Sequence, residues 1–311
     1  MSPLPPELTA AIRQLIDGQG SLAARSRDNS AHYRKGGTSN AAIDFHAYLV
    51  TRLPATFAAV TACLKQLPEN FSPASLLDAG SGPGTASWAA SELFPGIASF
   101  TFLDNNRQFL QLALGLSSHS SHPALKSTNA RVGDILTLEK DSADLVIAAY
   151  ALAEMPLKMA KEAAQSLWRA TRHSVVIVEP GTPQGFARVL EARKVLIAAG
   201  AQILAPCTHM NVCPLSAPDW CHFRVRIARS REHLHAKNAR VPFEDEKFSY
   251  LVASRHPSHK PAFRILAPPD EAKGATTFKL CGEKGLTQQS VARRDKAEYK
   301  RVHKLQWGDP F

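Results

Sequence analysis

The sequence predicts an α/β fold in which helices cover both faces of a mainly parallel sheet. A glycine-rich turn, DAGSGPG at 78–84, stands between an apolar strand and a helix-forming run. Apolar segments then alternate with helical segments to about position 200, a pattern typical of a parallel sheet with helices on both faces. Acidic residues end or follow several of these strands, and ligands bind at that edge of such sheets.

The turn after the first strand places glycines at alternate positions, Gly80, Gly82 and Gly84. Glycine lets the backbone approach a ligand closely, and the N-terminus of the next helix, with Thr85 as the predicted N-cap, offers free N–H groups. A dinucleotide fingerprint would place its third glycine at Thr85. The spacing here, counted from Asp78, resembles motif I of Rossmann-like S-adenosylmethionine (SAM) methyltransferases. An ordinary βα turn or a variant nicotinamide site is the alternative.

Two later acids favour the SAM interpretation. Asp104 ends a predicted strand at 98–104, near the distance from Asp78 at which an acid reaches a ribose in such folds. Asp134 follows a short strand, and an acid at this place in SAM enzymes often contacts the adenine amino group. The predicted cofactor-binding residues are Asp78, Gly80, Ser81, Gly82, Gly84, Asp104 and Asp134.

The remaining segments predict a three-part organisation. An N-terminal helical cap is expected at 1–69, a Rossmann-like SAM-binding domain with a Cys-rich insertion (205–222) at 70–260, and a small basic C-terminal extension at 261–311. Pro54 is expected to start a new helical segment or a kink. Further strands are predicted at 143–150, 174–180, 223–228, 247–253 and 275–280, helices at 4–17, 41–66, 107–116, 157–170, 184–199 and 290–306, and a polar connection at 25–40.

The 311 residues carry a net charge of +10 that is unevenly placed. Residues 1–150 hold 11 Lys and Arg against 12 Asp and Glu, whereas residues 151–311 hold 26 against 15. A basic region on one part of a protein favours a polyanionic partner such as nucleic acid, and a protein with a high isoelectric point and no such partner is the alternative. No apolar run reaches the roughly 18 residues that span a bilayer. We therefore expect a cytoplasmic protein without a membrane partner. We also expect a monomer, although the sequence is nearly silent on oligomeric state.

Four of the five cysteines lie outside the predicted core. Cys63 falls in an apolar helix and is expected to be a buried hydrophobic residue. In a cytoplasmic protein the other four favour a metal or redox role over disulfides, either as zinc ligands or as ligands of an iron–sulfur cluster. Free thiols remain an alternative, and His209 or His222 could replace one ligand. The four residues are Cys207, Cys213, Cys221 and Cys281.

Taken together, these features resemble one family, the methyltransferase-like proteins of mitochondrial small-subunit ribosome assembly and their bacterial homologues. The segment around the cysteines and EDEKFSYL are the most specific parts of the match. The matching segments are AYLVTRLPATFAAV (47–60), DAGSGPGTASWAA (78–90), AYALAEMP (149–156), VEPGTPQGF (178–186), APCTHMNVCPL (205–215), WCHF (220–223), EDEKFSYL (244–251) and the closing RRDKAEYKRVHKLQWGD.

The resemblance implies a SAM-binding fold and association with the small ribosomal subunit through rRNA. It also implies that the four cysteines outside the core hold a 4Fe–4S cluster rather than zinc. Mitochondrial members carry a transit segment. The N-terminus here is poor in Arg and contains Glu7 and Asp17, which is atypical of such a segment, so we expect a bacterial member.

The sequence contains little that identifies the part of the site that would bind a methyl acceptor. The segment after the fourth strand, AAYALAEMP, lacks the [ND]-P-P-[FYW] motif of amino-methyltransferases and has no cysteine nucleophile. Tyr150 and Glu154 are the candidate catalytic residues, with Glu154 as a possible base and a helix-start acid as the alternative. Three functions remain open: an rRNA methyltransferase, a catalytically inactive assembly factor, and a small-molecule methyltransferase, against which the basic C-terminal third argues.

The C-terminal helix predicted at 290–306 is the expected RNA contact. Its basic residues would populate much of one surface if the whole segment were helical, and a solvated helix is the alternative. Phosphate contacts would make binding strongly salt-dependent. The residues are Arg293, Arg294, Lys296, Lys300, Arg301 and Lys304.

Overall fold

The computed structural model describes residues 3–18, 23–34, 43–138 and 142–311. The helices are α1 (Pro6–Ile16), α2 (Ala23–Arg34), α3 (Phe45–Thr51), α4 (Leu53–Leu64), α5 (Thr85–Leu93), α6 (Arg107–Ser117), α7 (Pro123–Lys126), α8 (Ala160–Ala170), α9 (Pro183–Ala198), α10 (Arg231–Ala236) and α11 (Lys296–Val302). The strands are β1 (Ser75–Ala79), β2 (Ser99–Asp104), β3 (Asn129–Val132), β4 (Ala143–Ala149), β5 (Thr171–Pro180), β6 (Gln202–Ala205), β7 (Phe223–Ala228), β8 (Phe243–Ser254), β9 (Phe263–Ile265), β10 (Asp270–Glu271), β11 (Ala275–Gly282) and β12 (Gly285–Ala292).

The main sheet has eight strands in the order β3-β2-β1-β4-β5-β8-β6, with β7 paired to β8. Strands β1 to β5 are parallel, and β8 runs antiparallel to β5, β6 and β7. This confirms the predicted fold class, a Rossmann-like sheet of the SAM-dependent methyltransferase type closed by antiparallel strands. The expected strands at 223–228 and 247–253 form that closing pair, whereas β6 was not predicted.

Each central strand contributes alternate side chains to two cores, which explains why these strands read as continuous apolar runs. On β4, Leu145 and Ile147 face the core under α4 and α5, whereas Val146 and Ala148 face the core under α8 and α9. All four side chains are fully buried. Helices therefore cover both faces of the sheet, and the carboxyl ends of its parallel strands form one open edge.

The N-terminal helices are partly built into this core. Helix α3 ends at Thr51 and α4 begins at Leu53, with Pro54 in its first turn as predicted. Helix α4 packs against α5, β7 and β8. Among the described residues no single helix is long and apolar enough to cross a bilayer, although α3 and α4, bent by 47° to each other, meet those criteria as a pair.

The polar connection predicted at 25–40 is wrong in its first part, because residues 23–34 form helix α2. Asn29 docks this helix by exchanging two hydrogen bonds with the backbone of Asp44, the N-cap of α3. Polar composition hid a helix that is held by tertiary contacts rather than by an apolar face. The rest of that connection, 35–40, lies outside the described residues.

A second sheet of four strands, β9 to β12, follows the main sheet and has a small core of its own around Phe278. The helix predicted at 290–306 is much shorter, because β12 continues through Ala292 and α11 covers only seven residues. Arg264 of β9 ties this unit to the rest of the chain, since its guanidinium donates to the carbonyl oxygen of Pro206 and to the side chain of Gln66.

Candidate functional site

The glycine turn lies between β1 and α5, as its sequence predicts. Gly80, Gly82 and Gly84 all have left-handed φ angles, of 74°, 52° and 78°. A Cβ atom on Gly80 would lie 2.5 Å from the Cβ of Ala151, whereas one on Gly82 would meet nothing within 4 Å. Gly84, not Thr85, is the N-cap of α5, so Thr85 is the first helical residue. The turn therefore brings bare backbone to the open edge of the sheet.

This turn forms one wall of a cavity of about 760 Å³ at the carboxyl ends of the parallel strands. Six of the seven predicted cofactor-binding residues line it: Asp78, Gly80, Ser81, Gly82, Asp104 and Asp134. Gly84 lies behind the wall, where a Cβ would come within 2.9 Å of the Phe102 ring. A second wall carries Thr56 of α4 and Arg52, the residue that joins α3 to α4, and a third is the loop that follows β4.

The three acids are held in different ways. Asp104 accepts hydrogen bonds from the N–H groups of Gly82 and Asn106, each at 2.8 Å, and burial raises its pKa. Asp134 accepts from the N–H of Leu136 and caps a short 3₁₀ turn. Asp78 is 1% exposed and accepts two hydrogen bonds from Ser87. Burial raises the pKa of Asp78 to about 7. Asp104 and Asp134 are thus fixed acceptors at the cavity wall.

Tyr150 is the one non-glycine residue in this cavity wall with a left-handed backbone, at φ 61°. The conformation turns its side chain toward α4, on the same face as the preceding Ala149 rather than on the opposite face. Its hydroxyl donates to the carboxylate of Glu246 at 2.9 Å, and Arg52 donates to the same oxygen at 3.4 Å. Burial and Glu246 raise the pKa of Tyr150 well above its usual range. Tyr150 is therefore a neutral donor already committed to Glu246.

Glu154, the other catalytic candidate, lines the cavity from the turn Leu152–Glu154. This turn is anchored from behind by Glu179, which accepts a hydrogen bond from the N–H of Leu152 at 3.0 Å. Glu179 is fully buried, and burial raises its pKa to about 8 although Arg188 opposes the shift. Arg188 also donates to the carbonyl oxygen of Met155. The structure thus positions Glu154 through residues that the sequence analysis did not identify.

The four cysteines outside the main core meet around one small cavity of about 30 Å³. They come from distant segments, since Cys207 follows β6, Cys213 lies in the next loop, Cys221 precedes β7 and Cys281 lies on β11. Burial raises the pKa of Cys207, of Cys221 and, to about 11, of Cys281. Within the described part of the chain, no three His, Cys, Asp or Glu side chains converge as they would around a single metal ion.

Two buried arginines stand beside these thiols. Arg193 and Arg264 are each 4% exposed and line the same cavity. Arg193 donates to the carbonyl oxygens of His209 and Asn211, and Arg264 donates to those of Pro206 and Gly308. No carboxylate among the described residues forms an ion pair with either guanidinium. Buried charges in proteins are normally paired with an opposite charge. At this site the groups that could supply negative charge to the two arginines are the four cysteine thiols, if they ionise.

The histidine alternatives differ in position. His209 is 5% exposed, and its Nε2 lies 3.6 Å from the sulfur of Cys281. His222 is not among the residues that line the cysteine cavity, and its ring stacks on Trp220 with ring centroids 5.0 Å apart. His209 is therefore beside the cysteine set, whereas His222 belongs to another surface.

The predicted RNA-binding residues are all exposed, but they do not share one helix. Arg293 and Arg294 lie in the turn before α11, and Lys304 follows the helix. The prediction of a single basic helical surface is wrong, because β12 occupies the first part of that segment. Arg301 is paired with Glu298 at 2.6 Å. The binding of RNA by this group stays a prediction.

The family model described as "Mitochondrial small ribosomal subunit Rsm22" matches residues 42–311. The human protein "Ribosome assembly protein METTL17, mitochondrial" is 28% identical over 84% of this chain and 61% of its own length. The "Rsm22-cox11 tandem protein 2, mitochondrial" of Schizosaccharomyces pombe is 25% identical over 85% of this chain and 42% of its own length. The chain thus spans about two fifths to three fifths of these relatives.

The solved structures with a similar fold have low sequence identity to this chain. Magnesium protoporphyrin IX methyltransferase from Synechocystis PCC 6803 with bound SAM is 15% identical, with a TM-score of 0.45, and the match covers 82% of this chain and all of that one. A putative RNA methyltransferase from Pyrococcus horikoshii is 12% identical, with a TM-score of 0.41, over 64% of this chain and 83% of that one. The family match is the decisive comparison: the chain belongs to the Rsm22 family.

Proposed function

We propose that the chain is a SAM-binding, methyltransferase-like factor that acts with the rRNA of the small ribosomal subunit during its assembly and carries a 4Fe–4S cluster. One observation carries the SAM part: a 760 Å³ cavity that opens at the carboxyl ends of the parallel strands between a left-handed glycine turn and three carboxylates. The ribosomal part is supported by the family match and by the similarity to a human ribosome assembly protein.

The cavity offers a suitable group for each part of SAM. Asp104 at the end of β2 has the position from which an acid accepts hydrogen bonds from ribose hydroxyls. We propose that Asp134 accepts from the adenine amino group and that the amino-acid part of the cofactor lies against the Gly80–Gly82 backbone, where a Cβ on Gly82 would meet nothing within 4 Å. Bound SAM supplies an electrophilic methyl group, which an acceptor would approach from the side of Tyr150 and Glu154.

Affinity for SAM is expected to rise with pH around neutrality. Burial raises the pKa of Asp78 to about 7, so the carboxyl is mainly neutral one unit below this value and mainly ionised one unit above it. The cationic amino and sulfonium groups of SAM favour the ionised form, which predicts an affinity about tenfold higher at the upper pH. Titration calorimetry at the two pH values measures this. Asp78→Asn should remove the pH dependence, and a wild-type affinity that is unchanged or falls would contradict it.

The charges around the cysteine cavity support the proposal of an anionic metal–thiolate group. Four thiols from separate segments line it, and two buried arginines there donate to carbonyl oxygens, with Arg193 also hydrogen-bonded to the Cys207 thiol. A 4Fe–4S cluster held by four thiolates is an anion, so its charge would compensate Arg193 and Arg264, which reduced neutral thiols cannot do. Cys207, Cys213, Cys221 and Cys281 would hold the cluster. A zinc ion on the same thiolates is the alternative outcome of metal analysis.

Removing one of the two arginine charges is expected to weaken metal retention. Arg193→Met should retain metal about 10- to 100-fold less well against a chelator, because outer-shell partners contribute that much to metal affinity. Arg193→Lys, which keeps the charge, should restore most of the retention. Arg255→Met is the matched control, since Arg255 also donates to two carbonyl oxygens but lies outside this cavity. Equal iron retention in all four proteins would exclude charge compensation.

Methyl transfer from SAM to rRNA depends on the part of the cavity that would hold the methyl acceptor, near Tyr150 and Glu154. A second candidate function, a SAM-binding assembly factor without catalysis, is favoured by the hydrogen bond that commits the Tyr150 hydroxyl to Glu246. SAM labelled on its methyl group, incubated with the chain and small-subunit particles, separates the two. Label on rRNA that is lost in Glu154→Gln supports catalysis. Cofactor binding without any label on rRNA supports the assembly factor.

A further inference from the structure

One face of the closing strands carries aromatic and basic side chains outside both cavities. It is formed by Trp220, His222, Arg224, Arg226, Phe243 and Lys247 and is called the β7 face here. Arg224 of β7 lies opposite Lys247 of β8, and Arg226 lies opposite Asp245, so the cations stand side by side on the sheet. Arg224, Arg226, Phe243 and Lys247 are exposed, and Trp220 and His222 are partly exposed.

The aromatic rings on this face are fixed rather than loosely placed. The rings of Trp220 and His222 stack with an interplanar angle of 19°. The guanidinium of Arg226 lies 4.1 Å from the ring centroid of Phe243, which is 38% exposed. The guanidinium of Arg224 lies 5.7 Å from the Trp307 ring centroid, and that ring also meets His222 edge-on. Flat rings and guanidinium planes of this kind stack on nucleic-acid bases.

The β7 face reaches the SAM cavity through direct contacts. The indole N–H of Trp220 donates to the carbonyl oxygen of Gly181 at 3.1 Å, and the N–H of Gly181 donates to that of Lys247 at 2.9 Å. Thr182, the next residue, lines the cavity. A strand of nucleic acid lying on the β7 face would therefore lie beside the cavity wall that contains Thr182.

Charge on this face favours a polyanion. Arg224, Arg226 and Lys247 outnumber Asp245, which pairs with both arginines, while Asp219 beside Trp220 is paired with Lys279. We propose that the β7 face binds a single-stranded segment of RNA, whose bases stack on the aromatic rings and whose phosphates contact the three cations. This inference rests on the proposed function and adds where the RNA lies.

The proposal is tested with a labelled dodecameric oligoadenylate, as a single strand and as a duplex with oligouridylate, titrated into the full chain. Phe243→Ala should weaken single-strand binding by about 5- to 150-fold, the range for one lost base stack, with little effect on the duplex. Arg226→Ala should lower the slope of log affinity against log salt by about 0.7, the value for one phosphate contact on a single strand.

Two control variants match these changes. Leu114→Ala removes an apolar side chain that is also 38% exposed, on α6, and Arg169→Ala removes an exposed cation from α8. Both should bind the oligonucleotide as the wild type does. If Phe243→Ala and Arg226→Ala also bind as the wild type does, the β7 face is excluded while RNA binding elsewhere, and the proposed function, stand. If the wild type binds neither the oligonucleotide nor small-subunit particles, the proposed function fails as well.

Discussion

Replacing Gly80 with alanine is expected to abolish SAM binding in a chain that still folds. The new Cβ would lie 2.5 Å from the Cβ of Ala151, and Gly80 also has a left-handed φ of 74°. Relief of this contact requires the glycine turn or the loop after β4 to move, and both are walls of the cavity. We expect at least about a hundredfold loss of affinity, because displacement of binding groups by about 1 Å has effects of that size.

Gly200→Ala is the matched control for backbone strain. Gly200 has a left-handed φ of 84°, and a Cβ there meets nothing within 4 Å. Both variants should lose about 1–2 kcal/mol of folding stability from the left-handed conformation, measured by thermal unfolding. Only Gly80→Ala should lose SAM binding, measured by calorimetry. If Gly80→Ala bound SAM as tightly as the wild type, the glycine turn would be excluded as the cofactor-binding site.

Cys281→Ser is expected to loosen residues 260–311 without abolishing SAM binding. Cys281 lies on β11 of the second sheet, whereas the other three cysteines of the cavity precede β7. A cluster on all four would therefore pin that sheet to the main domain. Without it, the second sheet is held by the hydrogen bonds of Arg264, the ion pair between Lys279 and Asp219, and the packing of Leu266 and Trp307 against the main core. Limited proteolysis should cleave the variant in this region at least about tenfold faster, as local opening becomes more frequent.

Cys63→Ala serves as the control for loss of a buried thiol. Cys63 is fully buried in α4 within the main core, so the variant should lose some stability but keep its metal and its protease resistance at 260–311. Metal content is measured on the same samples. Unchanged proteolysis of Cys281→Ser, with metal lost, would show that the second sheet is held without the cluster.

The sheet and its ligand edge could be predicted because they are encoded locally. Short apolar segments such as β4 and β5 predict the strands of a parallel sheet. Asp104 at the end of β2 and Asp134 shortly after β3 mark the edge at which ligands bind. The glycine turn is equally local, and the structure places it between β1 and α5 as predicted.

The acceptor side could not be predicted in this way because its groups meet only through the fold. Arg52 and Glu246 are 194 residues apart in sequence and share a contact with Tyr150. In the sequence, Glu179 stands near the end of an apolar strand, and none of the neighbouring residues indicates that its carboxylate anchors the turn that carries Glu154. The C-terminal helix was predicted too long because basic residues at helical spacing favour a helix over the whole segment. The pairing of β12 with β11 through Ala292 makes the first part of that segment a strand instead.

Sedimentation with ribosomal particles tests the central claim most directly. The chain, loaded with SAM and metal, is mixed at low salt with small-subunit particles from its source cells and separated on a sucrose gradient. We predict that it moves with the small-subunit fraction and leaves it progressively as salt is raised, because phosphate contacts release counterions. A chain that binds SAM but stays at the top of the gradient at low salt would contradict a role on the small subunit.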